Sequence, residues 1–540
     1  MKINGITKHK QECVALVLFL ISFILIRGYV LLISNLTIKC ITVVMFLAIG
    51  VYGYFSKDSN KISDFFVVTL VAVLGLFLFL DRIVYLGFGF HFYEIFGDVI
   101  AILLNTNHDE VFSFFALFKS KRFYPTLLYI IIPIAYSLVL NTVNKHYKLG
   151  GSVRKYSFGT ILLTCFLLII IPGFPLRDMF AEVPKYIEDT KINRSYVAQK
   201  ETFKWNAISN VSGKSTVFIV LGETTRGDHL SLNGYSRKTT PNLDKENITS
   251  FSNAISIGYH TLVATPYMLT RKQVDAAWIN KLVPETSIIT AFKEAGYKTY
   301  YISYLGKVHI GDNAINQIVN EADVYVRRPD DNEGNADSLG LPIINDILQK
   351  DKSEKKLIVY KLVGSHYNFQ DRYPMMFDLF KPSFKTVAFR GPNKEQENIF
   401  VNTYDNTILH TDYVVSSVIN MLKNEEGDAS LSFISDHGVS IYESGDGVYL
   451  TPKKANFNIA CFFWMNESVR ARLADSKLKI FSSNKAKPID ATYFVDTVME
   501  LAGLETDKKI GKSLFKEVGD EDNRITILGN KIVKYTEIEN

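Results

Sequence analysis

Apolar positions are arranged along this 540-residue chain in two different ways. Up to about residue 176 they gather in long uninterrupted blocks, and after about residue 215 strand-length apolar runs alternate with helix-length stretches and charged loops. Five blocks come close to the length needed to cross hydrocarbon: Cys13 to Ser34, Cys40 to Phe55, Phe65 to Leu86, Phe123 to Leu140 and Ser157 to Pro172. The pattern predicts an α-helical membrane domain of about five transmembrane helices over residues 1–176. A polar linker over 177–215 and a soluble α/β domain over 216–540 follow.

Between the third and fourth blocks lies the Phe-rich stretch "GFGFHFYEIFGDVIAILLNTNHDEVFSFFALFKSKR". Glu94, Asp98, Asp109 and Glu110 would be costly in hydrocarbon, so this stretch is expected to lie along a membrane face as an amphipathic segment. Lys2, Lys8, Lys10, Lys57, Lys61, Lys145, Lys148, Arg154 and Lys155 fall on one side of the five spans, against Lys119, Lys121 and Arg122 on the other. The positive-inside rule then puts the N-terminus in the cytoplasm and the soluble domain across the membrane, in a periplasm or its equivalent.

Charge and cysteine refine this picture only slightly. The net charge of +5 comes with no Lys/Arg stripe interleaved with aromatics, which argues against a nucleic-acid partner. Cys13, Cys40 and Cys165 sit in apolar blocks, which leaves Cys461 alone in the soluble part and rules out an intramolecular disulfide there.

Three apolar runs in the second half stop at residues able to bind a metal. "VFIVLGE" delivers Glu223, "LSFISDHG" delivers Asp436 and His437, and "LIVYKLVGSH" delivers His366. Each has an ordinary alternative as a helix cap or a loop histidine. Together, at strand ends of one sheet, they are the oxygen and nitrogen ligands that zinc accepts. A metal there needs a group to activate, and the stretch "SNAISIGYHTLVATPYMLTR" offers Thr261 at the start of a predicted helix. The residues alone do not choose Thr261 over Thr224, Thr225 or Thr265.

The stretches "GETTRGDHLSLNGYSRKTTPNL", "GYHTLVATPYM", "VGSHYNFQDRYP", "VNTYDNTILHTDYVVSSV" and "SDHG" are in the order found in the membrane-bound phosphoethanolamine transferases of the alkaline phosphatase and sulfatase superfamily. The chain resembles these enzymes, which decorate lipid A and other parts of lipopolysaccharide and include the colistin-resistance enzymes. The resemblance implies a soluble domain of alkaline phosphatase/sulfatase type, in the periplasm, on a multi-pass protein of the bacterial inner membrane. It implies one zinc ion held by Glu223, Thr261, Asp436 and His437, with a second left open, and makes Thr261 the nucleophile. His366 is placed near the transferred phosphate, with Lys307 as a further phosphate contact. Thr106 and Glu110, in "NTNHDE", are placed at the donor head group.

The implied reaction transfers phosphoethanolamine from phosphatidylethanolamine, through a phosphothreonine, to lipid A, a core or O-antigen sugar or another periplasmic glycan. With lipid A as acceptor, killing by polymyxin would weaken. The chain departs from the family where Thr451 replaces a histidine, where Ile257 and Tyr267 replace a disulfide pair, and where Ile102 replaces an asparagine. His260 and His309 are candidates to compensate for the histidine. A sulfatase activity would need a C/S-x-P-x-R nucleophile motif, which the Thr261 neighbourhood lacks. The remaining alternatives are phosphoglycerol transfer and a catalytically degenerate lipid-binding protein.

Overall fold

The computed structural model describes residues 203–540, apart from 272–273, 275–285, 304–313, 328–336, 389–393, 444–447, 450–452, 508–510 and 529–530, together with the isolated Phe79 and Ile131. Apart from those two positions, the five apolar blocks lie outside the described residues. Among the described residues no helix is long and apolar enough to cross a membrane.

A seven-stranded sheet organises the domain. In chain order its strands are β1 (Ser215–Gly222), β2 (Ile248–Ser250), β3 (Lys298–Ser303), β4 (Val324–Arg327), β5 (Lys355–Lys361), β6 (Asp428–Ser435) and β7 (Cys461–Met465). Their spatial order is β2-β7-β6-β1-β5-β3-β4. The five strands from β6 to β4 run parallel, while β7 is antiparallel to both β6 and β2.

The apolar run in β1 is explained by burial on both faces. Val217, Ile219 and Leu221 belong to one core, and Phe218 and Val220 to the other. In β5 the same alternation sends Leu357 and Val359 one way and Ile358 and Tyr360 the other. The first core is closed by α1 (Thr261–Leu269) and by Phe494, Val495 and Val498 of a later helix. The second is closed by α2 (Leu341–Lys350) and the long α3 (Glu397–Leu422). Trp205, ahead of the expected start of the domain, is already fully buried in the first core and donates from Nε1 to Thr286 Oγ1 at 2.9 Å.

Register brings the site together. Leu221 is paired with both Lys361 and Ile434, and Gly222 with Ser435, so the C-terminal ends of β5, β1 and β6 share one edge. One expectation is corrected here, because the strand in "LIVYKLVGSH" stops at Lys361, five residues before His366. Gly364 takes φ +54°, where a chain of L-residues does not continue a strand, and Asp337 captures the amides of Val363 (2.7 Å) and Gly364 (2.9 Å).

Candidate metal centre

Glu223 and Asp436 leave the neighbouring strands β1 and β6 one residue past the paired Gly222 and Ser435, so their carboxylates converge. Asp436 Oδ1 accepts the amides of Thr224 (3.0 Å) and His437 (2.8 Å), which turns Oδ2 toward the other ligands. Thr224 takes φ +56°, an uncommon conformation for a β-branched residue. There its hydroxyl donates to Glu223 Oε1 at 3.0 Å while its amide serves Asp436. Strain at this position is tied directly to the two carboxylates.

The His437 ring is fixed by its Nδ1, which lies 2.7 Å from the carbonyl of Gly438. Its Nε2 therefore faces Glu223 Oε1 at 3.3 Å and Asp436 Oδ2 at 3.8 Å. A backbone carbonyl on the far nitrogen is the arrangement that orients histidines as metal ligands. Thr261, the first residue of α1, brings Oγ1 to 2.7 Å from Asp436 Oδ2, 3.3 Å from Glu223 Oε1 and 3.4 Å from His437 Nε2. Candidate ligand atoms of Glu223, Asp436 and His437 all lie within 4.8 Å of one another, and all three residues are buried. Two carboxylates, one imidazole nitrogen with its other nitrogen occupied, and a hydroxyl form a donor set suited to a zinc-type ion.

The other threonines are separated from Thr261 by geometry. Thr225 spends its hydroxyl on the carbonyl of Glu223 at 3.2 Å, and Thr265 is buried one turn along α1. Of the remaining expected residues, His366 is half-buried on the loop after β5 and lies outside the ligand cluster. Protein packed around its ring, together with Arg372 and His437, outweighs the nearby acids and lowers its pKa to about 4, so it is neutral at pH 7. His260 caps α1 with its ring edge against Tyr259, also outside the cluster. Ile257 and Tyr267 are core residues. Thr106, Glu110, Lys307, His309, Thr451 and Ile102 lie outside the described residues.

Sequence reasoning does not single out Lys361, which enters the centre at the end of β5. Its buried ammonium lies 2.8 Å from Glu223 Oε2 and 3.4 Å from Asp436 Oδ2, and it donates to the carbonyl of Gly222 at 2.9 Å. Burial opposes its charge, but Asp436 and Glu223 outweigh that and raise its pKa. Burial likewise pushes the Glu223 carboxyl up, yet Lys361 and then His437 hold it well below the usual carboxylate range. For His437, burial is outweighed by Asp436 and Glu223, which lift its pKa to about 9. The available signal is a lysine directly after the apolar run Leu357–Tyr360 within the same strand.

The sulfatase family profile matches residues 215–504. The chain belongs to the sulfatase family. Among relatives, the phosphoethanolamine transferase EptA of Escherichia coli O157:H7 is 27% identical over 311 residues, covering 55% of each chain. The present chain thus spans about half the length of the relatives it matches by sequence. The zinc complex of the C-terminal periplasmic domain of Escherichia coli EptC has a similar fold, with TM-score 0.52 and 24% identity over 62% of this chain and 96% of that one. The integral membrane lipooligosaccharide phosphoethanolamine transferase A of Neisseria meningitidis gives TM-score 0.53 at 17% identity, covering 89% of this chain and 93% of that one.

Proposed function

We propose that this protein transfers phosphoethanolamine from phosphatidylethanolamine to a lipopolysaccharide-type acceptor, with Thr261 as the nucleophile. The observation that carries the reading is the convergence of Thr261 Oγ1 on Asp436, Glu223 and His437 within 2.7–3.4 Å. Support comes from EptA, a phosphoethanolamine transferase related in sequence, and from the EptC domain of the same fold, which was crystallised with zinc. Glu223, Asp436, His437 and Thr261 would hold one zinc ion, which supplies Lewis acidity at the threonine hydroxyl and at the phosphoryl oxygens.

In the first half-reaction the Thr261 oxygen attacks the phosphorus of the donor. The bond from phosphorus to the glycerol oxygen breaks, and diacylglycerol leaves with a proton. In the second, an acceptor hydroxyl attacks the same phosphorus, the bond to Thr261 breaks, and the threonine recovers its proton. Thr261 opens α1, so the first amides of that helix point toward the phosphoryl group and favour its negative charge. His366, neutral at pH 7, stands near enough to Glu223 to sense its charge and is assigned to take the Thr261 proton and pass it to the leaving glycerol oxygen. Residues 1–176 would anchor the enzyme in the bacterial inner membrane, in reach of donor lipid, with the domain from about residue 216 in the periplasm. Thr106, Glu110 and Lys307 remain assigned to the donor head group and phosphate.

The test is mass spectrometry of peptides from the full-length protein after incubation with phosphatidylethanolamine, zinc present and acceptor withheld. A phosphoethanolamine adduct on Thr261 is expected in the wild type and not in Thr261→Ala. An adduct formed only from phosphatidylglycerol would replace the reading with phosphoglycerol transfer. No adduct from either lipid would leave a lipid-binding protein without transferase activity.

A further inference from the structure

We infer that Lys361 is a built-in cation that restricts this centre to one divalent ion. The inference rests on the metal reading of the cluster and assigns a role to a residue that the transfer chemistry does not use.

A lysine ammonium has three N–H donors. Here three acceptors surround it: Glu223 Oε2 at 2.8 Å, the Gly222 carbonyl at 2.9 Å and Asp436 Oδ2 at 3.4 Å. Two of these belong to the carboxylates that also face Thr261 and His437. Glu223 carries Thr224 and His437 on Oε1 and Lys361 on Oε2, with Thr261 Oγ1 near both oxygens at 3.3 and 3.4 Å and Lys361 the shortest contact of Oε2. A carboxylate bridging two metal ions needs both oxygens free to bind them. The lysine takes the second one, and its side chain is only 7% exposed, so it cannot swing into solvent without opening the end of β5.

Formal charge leads to the same conclusion. With His437 neutral as a metal ligand and Thr261 still a hydroxyl, Glu223 and Asp436 contribute two negative charges, and a divalent ion with Lys361 contributes three positive ones. The surplus of one matches a singly charged phosphodiester. A second divalent ion beside Lys361 would raise the surplus to three in a site walled by protein, where like charges repel strongly.

The experiment counts zinc in the full-length protein by native mass spectrometry and elemental analysis after saturation and desalting. One zinc per chain is expected in the wild type and in Lys361→Arg, which keeps the charge. Lys361→Gln, which frees Glu223 Oε2 and Asp436 Oδ2, is expected to retain a second equivalent and to unfold at a clearly lower temperature when metal-free, with zinc restoring the loss. Two zinc ions in the wild type, or one in Lys361→Gln with unchanged metal-free melting, would overturn the inference. If Lys361→Gln does not fold, the wild-type and Lys361→Arg counts decide alone. One zinc without a Thr261 adduct would sink the proposed transfer and leave this inference standing, whereas two zinc ions with an adduct would do the reverse. No zinc at all would remove the metal reading itself.

Discussion

Asp412 sets two forces on one carboxyl against each other. It lies in α3, 1% exposed, and accepts the amides of Asn242 and Leu243 together with the Asn242 side chain. Burial nevertheless dominates, and the pKa rises to about 6 from 3.8 despite those hydrogen bonds. Because the folded value lies above the unfolded one, the stabilisation by the protonated form is complete below the unfolded pKa and is lost as pH rises through about 6. Asp412→Asn should therefore become progressively less damaging between pH 4 and pH 7, a swing of up to about 3 kcal/mol at 1.36 kcal/mol per pKa unit. Denaturant unfolding of both proteins across that range checks it, and a constant difference would contradict it. The candidate ligands were legible residue by residue, because Glu223, Asp436 and His437 each close a run whose apolar character announces a buried strand. Thr261 was not separable from its neighbours by composition, since only the path of the chain into α1 brings its hydroxyl to Asp436. Lys361 escaped notice because a lysine at a strand end usually lies in solvent.

The loop from Leu362 to His366 works as an element in its own right. Its Gly364 is in the left-handed region, and a Cβ there would come within 2.7 Å of the Glu223 carbonyl oxygen and 3.0 Å of its amide nitrogen. Ser365 in turn donates its amide to the Glu223 carbonyl at 2.9 Å. Gly364→Ala should destabilise the domain by about 2–4 kcal/mol, from backbone strain together with a forced retreat from β1. It should also weaken zinc binding, which thermal melting with and without the metal would reveal; a melting temperature within a degree of wild type would refute it. The apolar runs of β1, β5 and β6 announce strands, whereas "KLVGSH" continues the run of β5 without a sign that it leaves the sheet. Nothing in "KLVGSH" shows that the distant Asp337 would capture two of its amides. The antiparallel β7 is equally silent in sequence, because a strand buried on both faces is apolar whichever way it runs.

At the scale of the molecule, the sheet joins remote segments by register, and the site is the outcome. Thr224 and Asp436, hydrogen-bonded at 3.0 Å, are 212 residues apart. No subset of the chain shorter than β1 to β6 holds both carboxylates, and β5 with Lys361 must be inserted between β1 and β3 for the cluster to be complete. Closing such separations is entropically costly and slow, so contacts of this kind accumulate late on the way to the native state. A ligand that needs all of them can recognise only a chain that has finished folding. Zinc should therefore slow unfolding of this protein while leaving its refolding rate almost unchanged, which stopped-flow kinetics with zinc and with chelator would measure. Acceleration of refolding by zinc would mean that the ligands meet early. In the expected case the metal acts as a latch on the finished fold, and cells short of zinc would make the domain at the normal rate and lose it sooner.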